Sequence, residues 1–361
     1  MKFDKQDTNI AKTIAIIMMY IHHSFFSLES YGGYSFSFAP FGETRTVAIA
    51  QLFKICVSIF VFLSAYGITI SFMKKEKENR EVPLKEFFMD DLCRWIKLIS
   101  GFIVIYILAQ IFSFLGRNNT EVYGTGIKRV VYTVLDVLGL ANVFNTPTFN
   151  PTWWYMGLAL TILLIMPLLY RAHRRIGVAL FVLAVVLPRM LSLEFTSLRW
   201  WLPSMCLGIL FAERDLFVKL HNLYRDKIYL YVGKVMLAIA VLCALFMFRH
   251  KTQMMLDITD AFLAALIIYI SFELFGERRR VVKMVAAVCG KYSMNMFLAH
   301  TFFRGYYFKD FYYSFGNAWL IILVLTITTL LFSVCVEMFK KYSGYNKIVE
   351  KLVNRIALRQ C

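Results

Sequence analysis

The stretch KTIAIIMMYIHH, residues 12–23, sets an ammonium group and two imidazoles in an otherwise apolar run. A charged or titratable side chain inside a membrane span costs several kcal/mol by insertion scales, so each one asks for a reason. Lys12 and His23 are eleven residues apart. At about 100° per residue that is three turns plus about 20°, so both project from one helix face, about 16 Å apart along the axis. His22 points about 100° away from His23. One imidazole therefore looks into a helix bundle beside the lysine's stripe, while the other meets lipid, a neighbouring helix or the interface. A neutral imidazole can take a proton near pH 7, and a lysine offers a point charge to an anion. The plain alternative is that Lys12 snorkels at the inner boundary and the histidines mark the outer one.

These side chains need elements that hold them at bilayer depth. Of the 361 residues 59% are apolar and 17% charged, against roughly 45–50% and about 25% in soluble domains. Mean hydropathy is +0.60. This balance excludes an ordinary cytosolic enzyme. Apolar stretches of roughly 17–25 residues recur from end to end, each long enough to cross about 30 Å of hydrocarbon. The expected fold class is an all-α integral membrane protein of about ten transmembrane helices. They fall near 9–28, 47–72, 96–115, 152–170, 176–192, 199–213, 228–248, 256–276, 288–304 and 318–338.

With the N-terminus inside, 29 of the 40 Lys and Arg fall on the inner side and 11 on the outer. KKEKENR at 74–80, RAHRR at 171–175 and ERRR at 277–280 carry much of that bias, which places both termini in the cytoplasm. No small-residue cleavage site follows the first span, which reads as a retained helix and not a signal peptide. The stretch 127–142, IKRVVYTVLDVLGLAN, contains Lys128, Arg129 and Asp136. Counting it as a span would invert the charge bias of everything after it, so it is expected to be an outer-face amphipathic or re-entrant helix. Residues 1–340 form one membrane domain on this reading. Residues 341–361 form a basic amphipathic tail held against the inner leaflet.

The seven cysteines, Cys56, Cys93, Cys206, Cys243, Cys289, Cys335 and Cys361, include no C-x-x-C pair. No disulfide framework and no metal site is signalled. The net charge of +17 lies in loops between spans, not on one folded face, so nucleic acid is not an implied partner.

Four motifs stand in register along the chain. They are the basic residue, ten intervening residues and histidine of the first helix; KICVSIFVFLSAYGITIS at 54–71; NPTWWYMGLAL at 150–160; and SMNMFLAHTFF at 293–303. With them the chain resembles the acyltransferase family 3 membrane proteins. These are bacterial enzymes that move acyl groups, often acetyl from acetyl-CoA, onto glycans and other envelope hydroxyls. The second motif is similar to the family's F-x-F-L-S-G-x run, with Ala65 where glycine is usual. The third resembles its W-W/W-F motif and the fourth its S-x-x-x-F-L-x-H helix.

The resemblance implies that His23 is the catalytic histidine and that Lys12 takes the place usually held by arginine. It also implies two arginines just before the third span. Here FFMDDLCRWIK keeps Arg94 and has Asp90 and Asp91 near the first position. Many relatives carry a carboxylate after the tryptophan motif, and GLAL offers none. Asp136, Glu337 and His300 are then the candidates for orienting His23.

The implied chemistry suits these parts. Acyl transfer from a thioester to an alcohol needs the hydroxyl proton removed as the oxygen attacks, a task at which a positioned imidazole gains about 10²–10⁴-fold in rate. An acyl-imidazole intermediate is the other route. Coenzyme A is cytoplasmic and anionic, so Lys12, Arg94 and Lys97 would hold its phosphates while its pantetheine arm reaches toward His23.

His300 either hydrogen-bonds within the bundle, binds the acceptor or orients His23. Trp153 and Trp154 are an interfacial belt or a sugar platform, with Asn150 and Pro151 shaping a cap beside them. Ser64 and Tyr66 either meet substrate or hydrogen-bond their own helix or a neighbour. Lys54, Arg189 and Arg304 are expected to snorkel. His221 and Asp226, in HNLYRD, have the His-x-x-x-x-Asp spacing of glycerolipid acyltransferases. That match is confined to a short basic loop with no glycine-rich phosphate motif after it, and it is set aside.

The expected function is an O-acetyltransferase of the bacterial cytoplasmic (inner) membrane. It would take an acyl group from acyl-CoA, with no permanently bound cofactor, to a hydroxyl of an envelope polysaccharide or lipid-linked sugar. A homodimer is compatible with this reading. The competing class is a transporter or flippase of a glycan or small polar solute. The paired broken helices and repeat-related halves common in transporters are not visible in the sequence.

Overall fold

The computed structural model describes residues 2–78, 81–191, 197–278 and 280–358. Arg80, Arg279 and Arg359 of the basic runs, and Ser192 at the end of the fifth expected span, lie outside the described residues. The principal helices are α1 (Lys5–Phe25), α2 (Glu43–Leu52), α3 (Cys56–Glu78), α4 (Leu84–Ile111), α5 (Gly126–Val137), α6 (Trp154–Ile176) and α7 (Ala179–Met190). They continue with α8 (Leu198–Arg214), α9 (Leu216–Asn222), α10 (Ile228–Thr252), α11 (Leu256–Phe275), α12 (Ser293–Thr301), α13 (Ala318–Tyr342) and α14 (Tyr345–Leu358). Among the described residues the one extended pairing is an isolated parallel bridge between Ser37 and Asn317.

Among the described residues six helical stretches are long and apolar enough to cross a membrane: Glu43–Glu78, Leu84–Ile111, Pro151–Ile176, Ile228–Thr252, Leu256–Phe275 and Ala318–Tyr342. The other four expected spans are helical but shorter or more polar. In α1, Asp7, Thr8, Asn9, Lys12, His22 and His23 dilute the apolar run. The fifth and sixth become α7, of 12 residues, and α8, of 17. The ninth breaks into Val288–Lys291, α12 and a π-helical turn over Phe302–Tyr307. The stretch expected to stay at the outer face is α5, of 12 residues. At about 1.5 Å per residue that is too short to cross.

The start of α1 is capped reciprocally. Asp4 Oδ1 accepts the backbone N–H groups of Gln6 and Asp7 at 2.7 and 3.0 Å, and Asp7 Oδ2 accepts the Asp4 N–H at 2.9 Å. Lys283 Nζ lies 2.6 Å from Asp7 and 3.7 Å from Asp4. Burial pushes the Asp7 carboxyl above its ordinary range, against the bonds it accepts from Asp4 and Lys283. Burial acts on Asp4 in the same sense, but the Asp7 N–H and the Lys283 charge outweigh it and hold Asp4 low.

The chain divides into two units. The first comprises Met1–His22, Ile49–Val82 and Met166–Lys291. Its centre is α8 packed on α3 and α11. A Cβ at Gly208 would stand 2.5 Å from the Phe62 carbonyl oxygen, so only glycine lets α8 approach α3 this closely. Helix α10 buries just Arg249 among its residues, and that guanidinium binds Asp260, with Nη2 to Oδ2 at 3.1 Å. Apolar residues outward and charge inward is the arrangement a helix in hydrocarbon requires. Arg189, expected to snorkel, instead donates to the buried Asp257 at 2.7 Å.

The second unit comprises His23–Ala48, Pro83–Ile165 and Tyr292–Cys361. Its aromatic core gathers Phe102, Tyr106, Phe149, Trp153 and Phe302 between α4 and α12. Asn317 caps α13, its side-chain oxygen accepting from the N–H groups of Trp319 and Leu320 at 2.9 and 3.2 Å. Helix α14 returns against α4, where the Tyr345 hydroxyl donates to the Ser100 carbonyl at 2.9 Å, leaving Ile348 and Leu352 exposed.

Candidate active site

Near its C-terminal end α1 presents its two histidines in different directions, as their helical spacing requires. His22 Nδ1 lies 2.8 Å from the Ala50 carbonyl on α2. A carbonyl only accepts, so that nitrogen carries the hydrogen. The ring of His23 lies beside that of His300, with centroids 5.2 Å apart and planes inclined by 38°. His300 is fully buried, whereas His23 is half-buried.

Helix α12 and the turn before α6 hold His300. Its Nδ1 stands 2.6 Å from the Phe297 carbonyl, and its Nε2 is 3.3 Å from Thr301 Oγ1. Thr301 is joined at 3.2 Å to Thr152 Oγ1, which donates to Asn150 Oδ1 at 2.9 Å. An asparagine before a proline starts a turn readily. Here Asn150 Oδ1 accepts the Thr152 N–H at 3.0 Å and begins the short 3₁₀ turn Pro151–Trp153 that leads into α6.

The next residue locks the same two elements together. Trp153 is 3% exposed and donates its indole N–H to the Leu298 carbonyl at 3.0 Å. The Phe302 N–H bonds back to Ala299 and not to Leu298, which leaves that carbonyl open to the indole. Trp153 therefore packs as a strut of the His300 helix and not as an exposed platform. A π-helical turn such as the one that follows, at Phe302–Tyr307, is common beside functional residues.

A family model described as an acyltransferase domain matches residues 6–338, a range that takes in His23, His300 and the helices and turn that hold them. The chain belongs to acyltransferase family 3. A search of curated proteins finds no match, and a search of solved structures finds none.

As a member of this family the chain is a membrane acyltransferase, and its other expected site residues fall as follows. Lys12 is half-buried on α1. Arg94, on α4, binds Asp91, which is 2% exposed. The acid near the family's first arginine thus pairs with the arginine that is kept. Lys97 is exposed on the same helix. Ser64 donates to its own helix at Phe60, 2.8 Å away. Tyr66 is buried, edge-on to Phe3 at 5.2 Å and near Phe217 at 5.7 Å. Trp154 meets Tyr155 edge-on at 6.1 Å.

Of the three candidates for orienting His23, His300 is the one whose ring lies against it. Asp136 accepts from Tyr123 at 2.6 Å, Thr148 at 2.8 Å and the Phe149 N–H at 2.6 Å. Burial raises its carboxyl above the ordinary range, although these bonds oppose it. Glu337 accepts from Asn295 at 2.8 Å and pairs with Lys340 at 2.7 Å. His221 turns its two nitrogens to Glu273 and Glu277, at 2.9 and 3.2 Å, while Asp226 is exposed. Arg304, expected to snorkel, reaches the Tyr313 hydroxyl at 3.5 Å.

Thr152 and Thr301 were not singled out by sequence reasoning. The available signals were the Asn-Pro turn starter two residues before one and the adjacency of the other to His300.

Proposed function

We propose that this acyltransferase moves an acyl group, acetyl in the simplest case, from acyl-CoA to a hydroxyl of an envelope polysaccharide or lipid-linked sugar. In this reading ten helices cross the bacterial cytoplasmic membrane, with both termini in the cytoplasm and the acceptor at the outer side. The charge bias of the loops and the six apolar helices support that topology. The acyl donor is a substrate, and its anionic end falls to Lys12, Arg94 and Lys97.

His23 acts as the general base. It takes the acceptor's hydroxyl proton as the oxygen bonds to the thioester carbonyl carbon. The carbon–sulfur bond then breaks, and the proton passes to the departing thiolate to give free coenzyme A. The observation that carries the reading is the family match over 6–338 together with an imidazole on the first helix, half-buried and set against a second, buried imidazole.

The test incubates membranes containing the protein with labelled acetyl-CoA and follows label into envelope glycan. Label should enter with the wild type and be lost with His23→Ala. Unchanged transfer in that variant would remove His23 from the mechanism. Absence of any acyl transfer by the wild type would favour transport.

A further inference from the structure

Arg304 has no part in the function proposed above. It lies in the π-helical turn that continues α12, four residues beyond His300. That spacing sets two side chains on one face, about 6 Å apart along the axis. The Arg304 charge accordingly acts on the His300 ring. On the topology proposed above, Arg304 stands on the outer side of the histidine pair, where the acceptor arrives.

The guanidinium is half-buried and poorly matched by its surroundings. Its Nη1 reaches the Tyr313 hydroxyl oxygen at 3.5 Å, and its Nε is buried with no acceptor among the described residues. Tyr313 is 2% exposed and directs its own hydrogen to the Ser30 carbonyl at 3.0 Å or the Ser24 carbonyl at 3.3 Å. It therefore offers Arg304 an oxygen lone pair and no charge. Among the described residues no carboxylate pairs with Arg304.

A second cation stands on the same aromatic stack. The Tyr34 ring lies against that of Tyr313, with centroids 4.7 Å apart, and Lys309 Nζ is 5.2 Å from the Tyr34 centroid. Asp310, between these residues in the chain, accepts the Tyr34 hydroxyl and pairs with neither cation. Taking a guanidinium partly out of water without an anion is unfavourable, and a ligand anion would offset that cost. The planar fork of arginine fits two oxygens of a carboxylate or a phosphate at once.

We propose that Arg304, flanked by Lys309, binds an oxyanion of the acceptor, a carboxylate or a phosphate on the acylated sugar or on the sugar beside it. The proposal rests on the reading of His23 as base and names the acceptor's class: an acidic glycan. Its hydroxyl meets His23 while its acid group is held about one helical turn further out. Holding the anion makes and breaks no covalent bond, and the acyl group and proton move as described for His23.

The test measures binding of three soluble probes to the full chain in lipid nanodiscs: an oligogalacturonate, its carboxyl-reduced counterpart and an oligo(glycerol phosphate). The wild type should bind an acidic probe about ten- to a hundredfold more tightly than the reduced one, the range for hydrogen bonds to a charged group. That preference should weaken as salt is raised. In Arg304→Gln the ratio should fall toward one, and Arg304→Lys, which keeps the charge and loses the fork, should retain part of it. The galacturonate and glycerol phosphate arms separate carboxylate from phosphate, and preference for either one supports the proposal. Equal affinity of the wild type for all three probes overturns it and leaves the guanidinium to a lipid headgroup. A preference that survives intact in folded Arg304→Gln also overturns it. If the wild type transfers no acyl group from acetyl-CoA, the functional reading falls, while the binding ratios still decide the anion site.

Discussion

The imidazole of His23 on α1 and that of His300 on α12 lie 5.2 Å apart, centroid to centroid, within one unit of the chain. His300→Phe keeps a ring of similar size in the buried position and removes both nitrogens. If the pair acts chemically, kcat for acyl transfer should fall by about 10²-fold, the lower range for loss of a positioned acid–base group, while KM for acyl-CoA changes little. The measurement is label transfer per folded molecule, with folding checked by circular dichroism and gel filtration. Wild-type turnover in His300→Phe would reduce the pairing to packing.

Asp136 belongs to the loop and not to the histidine pair. Its carboxylate collects a tyrosine hydroxyl, a threonine hydroxyl and a backbone N–H between α5 and the Asn-Pro turn. Asp136→Ala leaves the buried Phe149 N–H with no acceptor, a loss of about 1–3 kcal/mol, while the Tyr123 and Thr148 hydroxyls fall back on Tyr106 and the Asn150 carbonyl. A lower melting temperature is expected, with turnover of the molecules that remain folded close to wild type. Abolished turnover in a fully folded Asp136→Ala protein would make Asp136 part of the site.

What could be read beforehand was what depends on neighbours along the chain. The shared face of Lys12 and His23 and their divergence from His22 follow from helical periodicity, and the short polar-bearing helix at 126–137 follows from the charge bias that a further span would invert. The meeting of His23 with His300 depends on how distant helices pack, and spacing leaves His300 as one candidate among three. Trp153 read as a belt or platform residue because aromatics gather at span ends; the open Leu298 carbonyl that captures its indole exists only once α12 gives way to the π turn. Arg189 read as snorkelling because its partner Asp257 is far away in sequence. The threonine hydroxyls were invisible for the same reason.

Tyr31, in the segment after α1, predicts a pH dependence. It is 4% exposed and donates to Glu43 at 2.9 Å. Burial, and then the carboxylate, push its phenol from 10.0 up to about 12. The fold prefers the neutral phenol, so its stabilisation is complete below about pH 10 and is lost as pH rises toward about 12. Tyrosinate absorbance of wild type minus Tyr31→Phe should contain one phenol ionising near the upper value. A difference complete by pH 10 would contradict this environment.

His221 offers the sharpest contrast with His23. Both are histidines close to carboxylates or rings, but His221 is held at both nitrogens by Glu273 and Glu277. Glu273, 1% exposed at its side chain, also accepts from Tyr231 at 2.5 Å and from Lys234 at 3.1 Å. Lys234 further donates to the Leu220 and His221 carbonyls at 2.7 and 3.1 Å, closing the end of α9. The cluster ties α9 to α10 and α11, and every proton in it has a partner it would have to abandon to do chemistry. His221→Ala should therefore lower stability by about 1–3 kcal/mol, through the buried acceptor it strands, and leave acyl transfer per folded molecule within about twofold. Transfer lost beyond the loss of folded protein would reinstate a His-x-x-x-x-Asp mechanism in a chain where Asp226 stands exposed and apart from the imidazole.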